Sequence, residues 1–218
     1  MKLGDPTIQS QALAAARTYL ATLAPLPPQS LTHCSMHWAA TPYGWARQRK
    51  ASGDVIPYQV VSDRDATGKT ILVAGMDPKV NARAIPQDER PDIDYCASVW
   101  HRNSHGVAVS ISAMLDAGPR NFGVAPIDAA LVEFMCAGAA ALCAKYGIDA
   151  SDPQTCFTHA EAACWDNYFL GDDPDCRWDL SILEASTADT ATLKANAPVV
   201  GKQLRDRVRA YKVILMKA

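Results

Sequence analysis

The sequence predicts an α/β domain built around one central sheet. Segments with the apolar patterns of strands are interspersed with segments of helical period along the 218 residues. A chain of this length buries about 70% of its unfolded surface on folding, which supports a substantial core without added staples. The composition, 49% hydrophobic and 20% charged, is that of an ordinary globular protein.

The first half of the chain is predicted to contain one helix and three strands. Apolar residues recur at spacings of three and four over residues 7–23, and the prolines that follow end this helix. Strands are predicted over residues 30–35, 55–62 and 69–74. The first of them is expected to carry His33 near its end, and a turn signal at 65–68 joins the other two. Residues 38–54 are polar and are expected to be irregular.

The second half is predicted to add two strands and two helices. The small and β-branched residues of 106–115 indicate a buried strand. The clearest helix spans 126–145, where apolar residues cover one broad face and a glycine follows. A short strand over 155–158 is expected to deliver His159. A final helix, rich in Lys and Arg, is predicted over 195–215.

Charge and composition argue against several functional classes. The formal net charge of −2 and the pI near 6.2 give no support for nucleic acid as the main partner. There is no run of 18 apolar residues that would span a membrane, and the polar N-terminus does not have the pattern of a secretory signal. The seven cysteines are spread without a paired framework, so free thiols and synthesis in a cytoplasm are expected.

Three short segments each offer one ligand for a zinc ion. They are His33-Cys34-Ser35, Thr158-His159-Ala160-Glu161 and Arg177-Trp178-Asp179. Two imidazoles and one carboxylate leave the fourth zinc position to water, which is typical of catalytic rather than structural sites. The residue types leave alternatives open, because thiolates also bind zinc and Asp179 could instead cap a helix. The alternative ligands are Cys34, Cys164, Cys176, Asp173 and Asp175.

The order of the motifs resembles one known family. The motifs are Leu31-Thr32-His33-Cys34-Ser35, Ile56-Pro57-Tyr58-Gln59-Val60-Val61, Trp100-His101, Val107-Ala108-Val109-Ser110-Ile111, Thr158-His159-Ala160-Glu161 and Arg177-Trp178-Asp179. In this order they are similar to the zinc-dependent N-acetylmuramoyl-L-alanine amidases of type 2, which include phage endolysins and share a fold with peptidoglycan recognition proteins. The resemblance covers about residues 30–183.

The resemblance implies a fold, a reaction and a set of metal ligands. The fold is a mixed sheet flanked by helices, with zinc at the floor of a groove that binds bacterial peptidoglycan or its fragments. The reaction is cleavage of the amide between N-acetylmuramic acid and L-alanine. The ligands carried over are His33, His159 and Asp179. Arg177, two residues before the third ligand, would stabilise the oxyanion of the tetrahedral intermediate.

The resemblance also assigns residues around the metal. Tyr58 would orient or activate the zinc-bound water, and His101 would line the groove beside the metal, where it could bind substrate or the oxyanion. Trp100 and Trp165 are predicted to contact substrate. Aromatic residues that could stack on sugar rings are Trp38, Trp45, Trp165, Tyr168 and Phe169.

Two positions depart from the family pattern. Gln59 stands where a histidine usually follows the tyrosine, and Ser110 stands where some members carry a catalytic glutamate. A serine cannot act as a general base without help, so Tyr58 becomes the expected water-positioning group. His37 and His105 match no family motif and are expected in loops.

The segments outside the resemblance leave organisation and role open. The expected division is an N-terminal helical extension over 1–28, a catalytic domain over 29–184, and a C-terminal linker and helix over 185–218. An enzyme made without a signal peptide would reach the cell wall through a separate export or lysis factor. A non-catalytic peptidoglycan-binding module, or a structural component with the same fold, is the alternative to an amidase.

Overall fold

The chain folds around a five-stranded sheet in a computed structural model that describes residues 1–99, 101–168 and 177–217. The strands are β1 (His33–Trp38), β2 (Val60–Arg64), β3 (Thr70–Ala74), β4 (Gly106–Ile111) and β5 (Cys156–Thr158). Their order in the sheet is β3-β2-β4-β1-β5. Only the β2–β3 pair is antiparallel among these strands, so the sheet is mixed. The predicted α/β class with a mixed sheet flanked by helices is therefore confirmed.

The helices are α1 (Pro6–Thr22), α2 (Trp45–Ser52), α3 (Ala129–Tyr146), α4 (His159–Trp165) and α5 (Thr190–Leu215), and a 3₁₀ turn spans Pro78–Asn81. Three of the helices begin at an aspartate whose carboxylate accepts hydrogen bonds from the backbone N–H groups of the first turn. These aspartates are Asp5, Asp128 and Asp189. Gly147 follows α3 with a left-handed φ of 72°, a conformation that glycine adopts without strain.

Helix α3 forms the centre of the hydrophobic core. Its residues from Leu131 to Cys143 are buried, and they pack against the sheet and against α1 and α5. By length and composition α3 could cross a membrane, although 72% of it is buried inside the protein and core helices commonly meet this criterion. Tyr19 of α1 and Leu204 of α5 belong to the same hydrophobic cluster, so both terminal helices contribute to the core.

Two segments differ from the predicted elements, and the first of them affects the site. The first strand was expected over 30–35, yet β1 begins at His33 and continues through Trp38. The apolar residues Met36 and Trp38 extend the strand because both are buried in the core. The stretch expected to be irregular contains α2, which begins after Gly44 in a left-handed conformation with φ 79°.

Candidate metal centre

The carboxyl ends of β1 and β5 bring two histidines together. These strands are parallel neighbours, and Met36 pairs with Thr158 in their register. The residue after Met36 is His37, still on β1, and the residue after Thr158 is His159, which begins α4 where β5 ends. Ligand sites of open parallel sheets commonly lie at the carboxyl ends of strands, since side chains from several strands converge there.

Asp179 completes the cluster from a segment that is fixed at two points. The ring of Trp178 lies edge-on against Trp38 with 4.7 Å between centroids, at the end of β1. The carbonyl oxygen of Asp179 accepts a hydrogen bond of 3.2 Å from the backbone N–H of Ala160 in α4. The aspartate is therefore held by the same two elements that carry the histidines.

The three side chains are close enough to share one cation. One ligand atom from each of His37, His159 and Asp179 lies within 4.8 Å of the others. Asp179 Oδ2 is 4.0 Å from His37 Nδ1 and 3.5 Å from His159 Nδ1. Two imidazole nitrogens and one carboxylate oxygen are a set that zinc and several other divalent ions accept, and they leave positions open for water and substrate.

The unpartnered ring nitrogens of both histidines and the neutral ring of His37 fit a metal. His37 Nε2 and His159 Nδ1 are buried without a hydrogen-bond partner among the residues that the structure describes. A buried polar atom without a partner costs about 1–3 kcal/mol, and at His159 Nδ1, the atom 3.5 Å from Asp179, coordination of a metal would remove this penalty. Burial lowers the pKa of His37 to about 3, so its ring is neutral and keeps a lone pair for a metal.

The structure corrects the assignment of His33 as a ligand. His33 begins β1, four residues before His37, which along a strand is a distance of about 13 Å. Its Nε2 lies 2.6 Å from the carbonyl oxygen of Arg102 and its Nδ1 lies 3.1 Å from Thr32 Oγ1. Its ring also stacks on Phe157. Both ring nitrogens are therefore engaged at the opposite end of the strand from the cluster.

His37 is the site residue that the sequence analysis missed. It was expected in a loop, but it lies in β1 and is 5% exposed. Its signal was present in the alternation of the strand, because His33, Ser35 and His37 point to one face while Cys34 and Met36 point to the core. A longer strand would have placed His37 at the carboxyl end. His105, also expected in a loop, lies in the turn before β4.

The cluster lies in a cleft with a volume of about 940 Å³. Tyr58, His101 and Arg177 line this cleft together with the three cluster residues. The ring of Tyr58 meets that of His37 edge-on, with 4.6 Å between centroids. Burial raises the pKa of Tyr58 far above its ordinary value, so its hydroxyl stays protonated and can donate a hydrogen bond.

The two departures from the family pattern have different places in the fold. Gln59 is buried and turned into the sheet, where its Oε1 accepts a hydrogen bond of 2.6 Å from the backbone N–H of Ala108. It therefore holds β2 against β4 instead of lining the cleft. Ser110 is fully buried and pairs in register with His37, so this position beside the cluster carries a hydroxyl in place of a glutamate carboxylate.

The aromatic residues expected to bind substrate divide between the cleft and other surroundings. Trp38 and Tyr168 are among the cleft residues, whereas Trp45 lies against Tyr58 with 6.3 Å between ring centroids. Trp165 packs edge-on against Phe157 and beneath the Arg102 guanidinium, and it is not among the cleft residues. Trp100 and Phe169 lie outside the described residues.

The alternative ligands do not join the cluster where they can be located. Cys34 is fully buried on the core face of β1. The thiol of Cys164 lies 3.8 Å from the carbonyl oxygen of Lys194 in α5. Asp173, Asp175 and Cys176 lie outside the described residues.

Comparison of the chain with protein-family models, with curated proteins and with solved structures gave no significant match.

Proposed function

We propose that this protein is a zinc-dependent amidase that hydrolyses the bond between N-acetylmuramic acid and L-alanine in bacterial peptidoglycan. The observation that carries the proposal is the His37, His159 and Asp179 cluster inside a cleft that also contains Tyr58 and Arg177. The proposed reaction follows from the order of the sequence motifs, and the cluster offers three ligands that suit a metal ion in a hydrolase. In this proposal His37 takes the role that the sequence pattern gave to His33.

A zinc ion bound here would lower the pKa of a coordinated water and polarise the scissile carbonyl. The chain's own residues must orient that water and neutralise the charge that develops on the carbonyl oxygen. Tyr58 can do the first, because its protonated hydroxyl is a hydrogen-bond donor beside His37. It cannot act as a general base, since its pKa lies far above the working range.

Arg177 supplies a positive charge in the cleft that contains the cluster. It is exposed and lines the cleft two residues before Asp179. A guanidinium donates hydrogen bonds in a fixed planar fork and stays charged at all working pH values. Such a group stabilises an oxyanion that exists only during the reaction, and therefore accelerates the chemical step. His101 lines the same cleft and can contact substrate.

The dimensions of the cleft suit an extended substrate. Its volume of about 940 Å³ is near the upper end of ordinary small-molecule sites, which hold about 300–1,000 Å³. Polar side chains and aromatic rings both line it, which suits a ligand composed of sugar and peptide. The proposed substrates are therefore peptidoglycan or its soluble fragments.

The test is release of new L-alanine amino termini from purified peptidoglycan. Protein stripped with a chelator, the same protein reloaded with zinc, and the His159→Ala variant are compared, and new amino termini are labelled and identified. We expect L-alanine termini only from zinc-loaded wild-type protein. His33→Gln serves as the matched control, because it changes a histidine on the same strand that lies outside the cluster.

Failure to release L-alanine termini while the protein binds zinc and sediments with peptidoglycan would favour the non-catalytic binding module. Release of other termini, or release that survives complete removal of metal, would refute the proposed reaction.

A further inference from the structure

A buried ion pair joins the C-terminal helix to the segment that carries His159. Arg205 Nη1 of α5 lies 2.7 Å from each carboxylate oxygen of Glu161 in α4, and it donates a third hydrogen bond of 3.2 Å to the carbonyl of Cys156. The side chains are 8% and 2% exposed, respectively. A buried charge pair contributes little net stability because both groups lose their hydration, so its presence calls for another explanation.

The Glu161 carboxylate acts on the junction between β5 and α4. Its Oε2 accepts a hydrogen bond of 2.9 Å from the backbone N–H of Thr158, while the Thr158 hydroxyl accepts one from the backbone N–H of Glu161. This capping box closes around His159, which is the first residue of the helix. The next residue, Ala160, holds the backbone of Asp179. Two of the three cluster residues therefore depend on the backbone that Glu161 fixes.

Helix α5 is shaped to admit this carboxylate. A Cβ atom at Gly201 would lie 2.1 Å from the carboxyl carbon of Glu161, so a larger residue would displace the carboxylate. Glycine is disfavoured in a helix interior relative to alanine, and here the close approach accounts for it. Gly201 and Arg205 are one helical turn apart and so face Glu161 together.

We propose that Arg205 is a positioning residue of the metal centre. Acting through Glu161, it fixes the β5–α4 junction and with it the distances from His159 to His37 and Asp179. The inference rests on the metal centre of the proposed function, and does not depend on the identity of the substrate. It gives the C-terminal helix, which lies beyond the motifs of the sequence, an indirect part in metal binding.

The test is zinc affinity, measured by competition with a chromogenic chelator. Loss of supporting interactions around a metal ligand typically weakens metal binding about 10–100-fold, and we expect this loss in Arg205→Met. Arg205→Lys should recover part of it, because one ammonium group can reach Glu161 without reproducing every guanidinium contact. Arg207→Met is the matched control: Arg207 lies on the same helix and pairs with buried Glu133 at 3.4 Å. It should bind zinc within about twofold of wild type if only the Glu161 contact acts on the metal centre.

Two further measurements keep the inference testable if Arg205→Met does not fold. The double variant Glu161→Gln with Arg205→Met leaves no unpaired buried charge, and it should show the same loss of zinc affinity. Cobalt-loaded protein should show an altered visible spectrum in the Arg205 variants and an unaltered one in Arg207→Met.

Wild-type zinc affinity and an unaltered cobalt spectrum in folded Arg205 variants would overturn the inference while leaving the metal centre intact. A wild-type protein that binds no zinc would overturn the metal centre itself.

Discussion

Replacing His37 by alanine should abolish the stabilisation of this protein by zinc, whereas replacing His33 should not. His37 is one of three residues in the cluster, while both ring nitrogens of His33 are occupied by other contacts. With free zinc at 100 times its dissociation constant, a ligand that binds only the folded state adds about 2.7 kcal/mol. At about 2–4 °C per kcal/mol for a protein of this size, the melting temperature should rise by about 5–11 °C.

Loss of one of three ligands should weaken zinc binding at least about 100-fold, an effect larger than that of a lost supporting contact. At the same zinc concentration the His37→Ala variant would then gain only about 0.4 kcal/mol, or about 1 °C. Each variant is measured by differential scanning calorimetry in chelator and in zinc, so that its own metal-free stability is the reference. A full zinc shift in His37→Ala, or its loss in His33→Ala, would refute the assignment.

Three further predictions concern chemistry and pH. Tyr58→Phe should lower kcat about 100-fold while zinc affinity stays at the wild-type level, because the lost hydroxyl orients water. Kinetic measurements on zinc-saturated protein test this, and an unchanged kcat would show that Tyr58 takes no part in the reaction. Arg177→Met should likewise lower kcat by about 100-fold or more, and an effect confined to KM would instead indicate a role in substrate binding. Burial lowers the pKa of His33, so the unfolded chain takes up a proton below about pH 6.5 that the folded chain does not. The free energy of unfolding of metal-free protein should therefore fall with falling pH, and this residue contributes up to about 1.4 kcal/mol per pH unit to the fall. Denaturant titrations should show a shallower fall in His33→Gln than in wild type. Equal dependence of the unfolding free energy on pH in the two proteins would contradict this role of His33.

The main elements of the fold were predictable because each has a strong local pattern. Helix α3 was expected over 126–145 and is found at Ala129–Tyr146, where nearly every central residue is buried. The strand β4 was expected from its small and β-branched residues, although it ends at Ile111 rather than 115. Helix α2 was missed because it is short and polar, and because Gly44 and Gly53 at its ends resemble loop residues.

The candidate site was predictable only in part. The structure brings His159 and Asp179 together in the cluster, and Tyr58, His101 and Arg177, which were expected near it, line the same cleft. The error at His33 arose from the position of a strand end. A shift of three residues in that end moves the carboxyl edge of the sheet from Ser35 to Trp38, and with it the choice of ligand.

The role of Arg205 could not have been predicted from local sequence. Its contact with Glu161 joins residues 44 positions apart, and it depends on how α5 packs behind α4. A helix rich in Lys and Arg predicts only a solvated face, and the fold identifies Arg205 as the arginine of α5 that is buried.

The most direct test of the metal centre is a crystal structure of the zinc-loaded protein with anomalous diffraction measured on both sides of the zinc edge. We expect one anomalous peak in the cleft, with a nitrogen of His37, a nitrogen of His159 and a carboxylate oxygen of Asp179 about 2.0–2.2 Å from the metal. His33 should keep its contact with the carbonyl of Arg102 in that structure. A zinc ion bound by His33 or by cysteine thiolates, with the cleft cluster empty, would contradict it.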